Sequence, residues 1–308
     1  MIVVITGSNG FTAYFLSKYI KNINPEIVIC GIDIATESNN CTIDKYFSTN
    51  ELSLLIGFLN FSSKNVKVFH LAGILKSESM EILMEANVIG TAKYIELFRK
   101  LKKPQIFVNI GSSSEYGIQK NSLLSENLIP NPISLYGLTK YLQSELVLRS
   151  SKIYDFKAIS TRTFNLIGPG LSENFIVGKV VSEFLKIKNG EKEACDIGRM
   201  DSVRNFIDVR DAVKIYWELS EHGVSSEIFN VGNPESHSIA VIISILSQIM
   251  EINPIINNNS QLISKFDIDY QYPDLEKTSH ILNNYKYLNI KNSLTDVVNS
   301  SLNLNNIK

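Results

Sequence analysis

The feature that most constrains the fold lies at the amino terminus, where an apolar run ends in a glycine-containing junction. Residues Ile2–Thr6 read as a buried strand, and Gly7 and Gly10 follow before a helical pattern begins at Phe11. Glycines at such a junction let the backbone turn tightly and approach a pyrophosphate, whose charge is met by the helix N-terminus. The junction therefore predicts a dinucleotide site, although an ordinary tight turn has the same pattern.

Short apolar runs alternate with helical patterns through the first half of the chain. The runs that predict strands covered on both faces are Ile2–Thr6, Ile27–Asp33, Val66–Ala72, Ile106–Gly111 and Lys157–Phe164. The segments with helical spacing of apolar residues are Phe11–Lys21, Asn87–Leu101 and Tyr136–Ser150. This alternation predicts an α/β fold with a Rossmann-type, doubly wound parallel sheet.

The rhythm changes after Phe164. A turn at residues 168–170 is followed by predicted elements near Phe175–Lys188 (helix), Glu227–Val231 (strand) and Ile239–Met250 (helix). Because no tandem repeat or long linker separates the halves, we expect a smaller C-terminal lobe interleaved with the first domain. The expected boundaries are 1–164 plus about 205–232 for the dinucleotide domain, and about 165–204 plus 233–308 for the lobe.

Composition excludes several functional classes. The formal net charge is −1, which gives no electrostatic basis for binding nucleic acid or an anionic membrane. No apolar segment reaches the length of about 18 residues that a membrane span requires. The cysteines Cys30, Cys41 and Cys195 lack C-x-x-C spacing, and the histidines are scattered, so we expect no disulfide framework and no metal site. These observations predict a cytoplasmic protein.

The second predicted strand ends at Asp33, about 20 residues beyond the glycine junction. An acidic side chain there can accept hydrogen bonds from the adenosine ribose hydroxyls, and its charge repels a 2′-phosphate. The position favours NAD(H) as cofactor and leaves NADP(H) possible. A turn or capping role would place an aspartate at the same point.

A tyrosine and a lysine four residues apart begin the third predicted helix. Tyr136 and Lys140 share one face of that helix, so the phenol and the ammonium can lie side by side. An ammonium and an oxidised nicotinamide would lower the phenol pKa from its usual value of about 10 towards the working pH. Ser112, in the serine-rich loop after Ile106–Gly111, can hydrogen-bond a substrate oxygen. Ser112, Tyr136 and Lys140 are the expected catalytic residues.

These motifs, in this order and spacing, resemble the extended short-chain dehydrogenase/reductase (NAD-dependent epimerase/dehydratase) family over nearly the whole chain. The resemblance rests also on residues 70–73, His-Leu-Ala-Gly, and on residues 87–91, Asn-Val-Ile-Gly-Thr. It implies enzymes that act mainly on nucleotide sugars. The implied cofactor-binding residues are Gly7, Asn9, Gly10, Phe11, Asp33, Ile34, Leu71, Ala72, Gly73, Asn87, Tyr136 and Lys140.

Three later segments, 162–170, 203–211 and 229–232, are most similar to the GDP-4-keto-6-deoxy-D-mannose reductases within that family. The resemblance implies that Asn165 and Arg204 hold the substrate diphosphate, and that further substrate-binding residues are Ser113, Phe175, Ile176 and Lys179. Those reductases carry an Arg/Glu pair near the C-terminus, but residues 266–279 contain no arginine and leave their acids without that partner. The base therefore stays open among GDP, dTDP, CDP and UDP.

The serine loop bears on the reaction. A 4,6-dehydratase of this family has carboxylates directly after the catalytic Ser/Thr, where this chain has Ser113 and Ser114. Glu115 is one residue further on, and in an extended segment its side chain would point the opposite way. We therefore expect an NAD(H)-dependent reductase of a nucleotide-4-keto-6-deoxyhexose in deoxysugar biosynthesis. The alternatives are a 4-epimerase, a 4,6-dehydratase and a non-catalytic dinucleotide-binding protein.

A homodimer is also implied by the resemblance. Members of the family pair through two helices from each subunit, and the corresponding helices here begin at Asn87 and Tyr136. Both predicted helices carry apolar residues at helical spacing. We expect these helices to form a four-helix contact between two copies of the chain.

Overall fold

A seven-stranded parallel sheet forms the centre of the protein. The computed structural model describes residues 1–262 and 268–305. Its strands are β1 (Ile2–Thr6), β2 (Val28–Asp33), β3 (Lys45–Ser48), β4 (Val66–His70), β5 (Pro104–Ile110), β6 (Leu123–Leu124), β7 (Ala158–Thr163), β8 (Asn165–Ile167), β9 (Ala194–Ile197), β10 (Val203–Asp208), β11 (Glu227–Val231), β12 (Ser236–Ser238), β13 (Ile255–Asn258) and β14 (Tyr272–Pro273). The strand order in the large sheet is β11-β7-β5-β4-β1-β2-β3.

Helices cover both faces of this sheet, as the continuous apolar strands predict. The helices are α1 (Phe11–Ile23), α2 (Leu52–Phe61), α3 (Met80–Met84), α4 (Gly90–Arg99), α5 (Leu135–Ile153), α6 (Ile176–Lys188), α7 (Val209–His222), α8 (Ile239–Met250), α9 (Glu276–Leu282) and α10 (Ile290–Asn305). One apolar cluster joins the sheet to α1 and α7, and another joins it to α2, α4 and α5. The prediction of a doubly wound Rossmann-type fold is confirmed.

The strand order places a switch point beside β1. The chain leaves β1 for β2 on one side and later returns to β4 on the other, and both neighbours pair with β1 in parallel. In such sheets, ligands bind at the carboxyl ends of the strands where the winding direction changes. The glycine junction after β1 and the residues after β4 therefore lie at the expected binding crevice.

A third apolar cluster builds the smaller lobe. It combines α6, α8 and α10 with β9 and with part of β10. Phe206 of β10 belongs to this cluster, whereas its neighbour Ile207 belongs to the cluster of the large sheet. β10 thus links the two cores, and the lobe draws on segments both before and after β11. The numerical domain boundaries stay a prediction.

The element predictions are incomplete, and some bounds are shifted. The helix α7 and the strand β10 were not predicted, although both are largely buried. β3 was not predicted, because this short edge strand has one exposed and three half-buried residues. The helix expected from Asn87 begins earlier, at Met80, and passes through a π-helical turn at Glu85–Ile89 before α4. The strand expected over Val66–Ala72 ends at His70.

The helices were also compared with the length and hydropathy of a membrane span. Among the residues that the structure describes, none of the helices is both long and apolar enough to cross a bilayer.

Candidate active site

The glycine junction after β1 favours a residue without a side chain at Gly7. Gly7 has φ +66°, and a Cβ there would lie 3.0 Å from the backbone of Ala72. The N–H of Gly10 donates to the carbonyl of Gly7 at 3.0 Å, which closes the turn immediately before α1. The tight turn brings the N-terminus of α1 to the wall of a cavity of about 330 Å³. These features fit a pyrophosphate.

The residues predicted for the adenosine end of the cofactor meet at an adjoining cavity of about 880 Å³. Asn9, Asp33, Ile34 and residues 71–73 all line it. The carboxylate of Asp33 accepts the backbone N–H of Asn9 at 2.9 Å and that of Ile34 at 2.8 Å. The Ile34 side chain is 85% exposed. The end of β2 and the glycine junction therefore form one wall of this cavity.

The side chain of Asn9 has a structural role that the sequence analysis did not predict. Its Nδ2 donates to the carbonyl of Glu37 at 3.0 Å, and its Oδ1 accepts the backbone N–H of Asn39 at 3.1 Å. Asn9 thus fixes the segment after β2 through its side chain and fixes Asp33 through its backbone.

The serine loop folds as a single 3-10 turn over Ser113–Glu115 rather than as the extended segment that was assumed. The Ser112 hydroxyl accepts the N–H of Ser114 at 3.1 Å, while the Ser112 N–H donates to Glu115 Oε1 at 3.0 Å. Glu115 is fully buried. The assumption that an offset of one residue reverses its side chain is therefore wrong, because the turn directs Glu115 into the interior.

Tyr136 and Lys140 lie in the first turns of α5. The hydroxyl of Ser134 caps this helix by accepting the N–H of Gly137 at 3.0 Å. Ser112 and Tyr136 line the same cavity, and the Ser112 hydroxyl favours the ionised form of the Tyr136 phenol, which lowers its pKa. The Lys140 ammonium donates to the carbonyl of Ile110 at 2.7 Å and also to the Gln143 side chain. Ser112, Tyr136 and Lys140 all line the cavity of about 330 Å³, so the structure brings the predicted catalytic residues together.

The electrostatics of this group differ from the sequence-based expectation. Burial raises the pKa of Tyr136 to about 12, and the charge of Glu115 adds to the rise, while the Ser112 hydrogen bond opposes it. Burial lowers the pKa of Lys140 to about 8, against the opposing charge of Glu115. The expectation that Lys140 depresses the phenol pKa is wrong for the protein alone, because burial dominates. At neutral pH Tyr136 is therefore protonated.

A buried polar network behind Lys140 was also missed from the sequence. Gln143 Nε2 donates to Thr91 at 2.8 Å and lies 3.1 Å from His70 Nε2, while His70 Nδ1 lies 2.7 Å from the hydroxyl of Thr6. Burial, and then the charge of Lys140, lower the pKa of His70 to about 3, so this ring is neutral. The spacing of Lys140 and Gln143 places them on one helix face, which was the available signal.

Asn87 does not occupy the position expected of a cofactor ligand. It is absent from the described linings of both cavities and is fully buried. Its Oδ1 accepts the N–H of Ile74 at 2.8 Å, and its Nδ2 donates to the Ile74 carbonyl and to Thr139. These partners occupy its polar atoms, so Asn87 supports the backbone beyond Gly73 from behind.

The predicted substrate residues divide between two cavities. Ser113, Asn165 and Phe175 line the catalytic cavity. A smaller cavity of about 300 Å³ is lined by Asn165, Ile176, Lys179 and Arg204, together with Asp196 and Arg199. Asn165 borders both cavities, so the structure joins the catalytic residues to a basic cleft in the smaller lobe.

Arg199 corrects one expectation about the C-terminal acids. It donates to Asp269 at 2.6 Å and to Asp201 at 2.9 Å, so Asp269 does have an arginine partner. Arg199 lies 70 residues before Asp269 in the chain and therefore outside residues 266–279. Phe266 and Asp267 lie outside the described residues. Across residues 1–262 and 268–305, no cluster of three or more histidine, cysteine or acidic side chains could hold a metal.

Comparison with solved structures shows the fold. UDP-glucuronic acid 4-epimerase from Bacillus cereus, in complex with UDP-glucuronic acid and NAD, superposes with a TM-score of 0.85 over 99% of this chain and 100% of that one. The sequence identity is 21%.

Comparison with sequences adds the family. GDP-6-deoxy-D-talose 4-dehydrogenase from Aggregatibacter actinomycetemcomitans is 26% identical over 310 residues, which is 98% of each chain. GDP-6-deoxy-D-mannose reductase from Pseudomonas aeruginosa is 26% identical over 172 residues, 55% of this chain and 57% of that one. Residues 3–232 match the model of the family described as NAD dependent epimerase/dehydratase. With this match over most of its length, the chain belongs to the NAD-dependent epimerase/dehydratase family.

Proposed function

We propose that the protein reduces the C4 carbonyl of a nucleotide-linked 4-keto-6-deoxyhexose with NADH. The observation that carries the proposal is the composition of the catalytic cavity. Tyr136 and Ser112 face it, and its described lining contains no carboxylate. A proton donor and a hydroxyl suffice for reducing a carbonyl, whereas elimination of water needs a further acid and base.

The roles of the residues follow from their contacts. A protonated Tyr136 gives its proton to the C4 oxygen, and Ser112, on the lining of the same cavity, stabilises the charge that develops there. The Lys140 ammonium donates to the Ile110 carbonyl and so fixes the backbone at the end of β5, beside the cavity. NADH, when bound, supplies the hydride. Because a reduced nicotinamide ring carries no positive charge, it leaves the phenol in the protonated form that this reaction needs.

The residues present fit NAD(H). Gly7 gives the close backbone approach that a pyrophosphate needs, and α1 directs its N-terminus to the same point. The Asp33 carboxylate at the end of β2 suits the ribose hydroxyls of NAD(H) and repels the 2′-phosphate of NADP(H). On the lining of the cavity of about 880 Å³ beside Asp33, the Lys93 ammonium is paired with the Glu85 carboxylate at 2.8 Å.

The cavity also supports a neutral sugar. Among the residues described in its lining, Lys140 is the one charged side chain, and the apolar residues of the lining include Leu75, Phe164, Leu171 and Phe175. Apolar walls favour the methyl group of a 6-deoxyhexose over the carboxylate of a uronic acid. The names of the talose dehydrogenase and mannose reductase relatives agree with such a substrate.

The smaller cavity would take the nucleotide diphosphate. Lys179 and Arg204 bring positive charge to it, and Asn165 lies between it and the catalytic cavity. A guanidinium and an ammonium suit phosphate oxygens. Asp196 and Arg199 also line this cavity and are candidates for contacts with the base. The nucleotide stays open among GDP, dTDP, CDP and UDP.

A 4-epimerase is the second candidate. The Bacillus cereus structure with the same fold is a 4-epimerase, and such a reaction needs the same serine, tyrosine and lysine. The test is incubation with a panel of nucleotide-4-keto-6-deoxyhexoses and NADH, and in parallel with the corresponding 4-hydroxy sugars and NAD. Consumption of NADH with a 4-hydroxy product by NMR supports reduction. A C4-inverted product without net change in NADH contradicts it and selects epimerisation.

A further inference from the structure

Glu115 is a fully buried acid directly beneath the serine loop. Its Oε1 accepts the backbone N–H of Ser112 and the hydroxyl of Ser144, both at 3.0 Å. Its Oε2 lies 3.4 Å from Nε of Arg162, which is itself 2% exposed. The carboxylate is therefore enclosed by the loop, by α5 and by β7, and the proposed reaction does not use it as an acid or a base.

Arg162 is held as firmly as its partner. Its guanidinium lies 4.4 Å from the ring centroid of Tyr116, and its Nη1 donates to the carbonyl of Glu126 at 3.1 Å. Removing two charges from water is costly, and a buried ion pair often contributes less to stability than an apolar pair of similar volume. A gain in stability therefore explains the presence of this ion pair poorly. The contact of Glu115 with the backbone N–H of Ser112 links the pair to the reacting groups.

We infer that Glu115, with Arg162 as its counter-ion, is the positioning residue that holds Ser112 against the Tyr136 phenol and keeps a negative charge behind that phenol. The inference rests on the proposed function, since it assigns a role within that reaction. It makes Glu115 a structural support for the two groups that would touch the C4 oxygen.

The charge has a defined effect on the pH dependence. The titratable groups that act on Tyr136 or are acted on by it are Glu115 from the loop and Tyr216 from α7, and Lys140 from α5 lines the same cavity as Tyr136. Burial raises the pKa of Glu115, while Arg162 and then the Ser112 N–H and Lys140 favour its charged form. A negative Glu115 raises the pKa of Tyr136. Reduction needs a protonated phenol, so this charge extends activity to higher pH.

The test replaces both members of the pair, because removing one alone leaves the other buried and uncompensated. In Glu115→Gln/Arg162→Met, the amide oxygen can still meet one N–H, but the charges and the guanidinium contacts are gone. The matched control is Lys67→Met/Glu221→Gln, which removes a second ion pair with a fully buried lysine, near the start of β4. Both proteins are compared with wild type by thermal unfolding and by kcat, KM and pH profiles.

We expect the Glu115/Arg162 double variant to fold and to bind NAD. We expect its kcat to fall about tenfold or more with little change in sugar KM, since a small displacement of a reacting group is costly. The alkaline limb of its kcat profile should move to lower pH. Glu115→Gln alone, if it folds, should show the same pH shift. The control should keep the kcat and pH profile of wild type.

A readout without substrate separates this inference from the proposed function. Crystal structures of wild type and the Glu115/Arg162 double variant with NAD should show Ser112 displaced from Tyr136 in the variant. If no nucleotide sugar reacts with wild type, the proposed function fails, and the position of Ser112 still decides the structural inference. An undisplaced Ser112, an unchanged kcat and pH profile, or an equal loss in the control would overturn the role of Glu115.

Discussion

The backbone N–H of Asn9 donates to Asp33 Oδ2 at 2.9 Å, and this contact helps to join the glycine junction to the end of β2. Asp33 receives a second backbone N–H, from Ile34, through its other oxygen. The carboxylate is therefore oriented by the loop that would hold the pyrophosphate. If the proposed cofactor assignment holds, this contact would link cofactor selection to pyrophosphate binding.

Substitution of Asp33 tests the choice of cofactor. Asp33→Ala should weaken NADH binding by about 10- to 150-fold, since hydrogen bonds to a charged group contribute about 1.5–3 kcal/mol. It should also reduce discrimination against NADPH, because the charge that opposes the 2′-phosphate is gone. Dissociation constants for both cofactors, measured by fluorescence titration, check this. A wild type that already prefers NADPH would contradict the assignment of Asp33.

Substitution of Gly7 tests the junction itself. Gly7→Ala should destabilise the protein by about 1–2 kcal/mol, because φ +66° strains a residue with a side chain. The added Cβ also presses on the backbone of Ala72, so NADH binding should weaken. The matched control is Gly57→Ala in α2, where nothing lies within 4 Å of the new Cβ and a gain of about 0.5–1 kcal/mol is expected. Equal effects at the two positions in chemical denaturation would refute the argument from backbone conformation.

Lys140 makes stability depend on pH in a defined direction. Its folded pKa is about 8, below the ordinary value of 10.5 for a lysine, so between these values the unfolded chain binds more protons than the folded one. Stability should therefore gain a contribution as pH rises from about 8 towards 10.5. In Lys140→Met that contribution disappears. Thermal unfolding of both proteins in steps from pH 7 to 10 measures the difference, and parallel curves would show that Lys140 does not titrate in this range.

How far the sequence predicted the molecule depended on the range of the interactions. Strong periodicity or continuous apolarity predicted β1, β11 and α8 with the bounds that the structure has. The convergence of Ser112, Tyr136 and Lys140 followed from parallel-sheet topology, because the loop after β5 and the start of α5 meet at one edge.

The remaining features depend on contacts that no local pattern encodes. Arg162 meets Glu115 across 47 residues of sequence, and Gln143 meets His70 across 73. The turn that buries Glu115 is stabilised by capping contacts between Ser112 and Glu115. Because the segment is a run of serines without periodically spaced apolar residues, the sequence pattern did not predict this turn. The direction of the Tyr136 pKa shift was missed for the same reason, since the extent of burial is a tertiary property. The homodimer and the cytoplasmic location stay predictions.

Tyr136→Phe is the most direct test of the chemistry. The phenol is the group that would give its proton to the C4 oxygen, and it lines the catalytic cavity together with Ser112. Its loss should lower kcat by about 10²–10⁴-fold, the usual contribution of a positioned proton donor. The ring remains, so the dissociation constant for NADH should change little.

Tyr141→Phe provides the matched control for that loss, because Tyr141 lies on the same helix and outside the described lining of the catalytic cavity. It removes the same hydroxyl from α5 and should leave kcat near the wild-type value. Stopped-flow measurement of NADH oxidation under single-turnover conditions separates the chemical step from product release for both variants. Retained single-turnover rates in Tyr136→Phe, with normal NADH binding, would remove Tyr136 from the reaction and leave proton transfer to another group or to water.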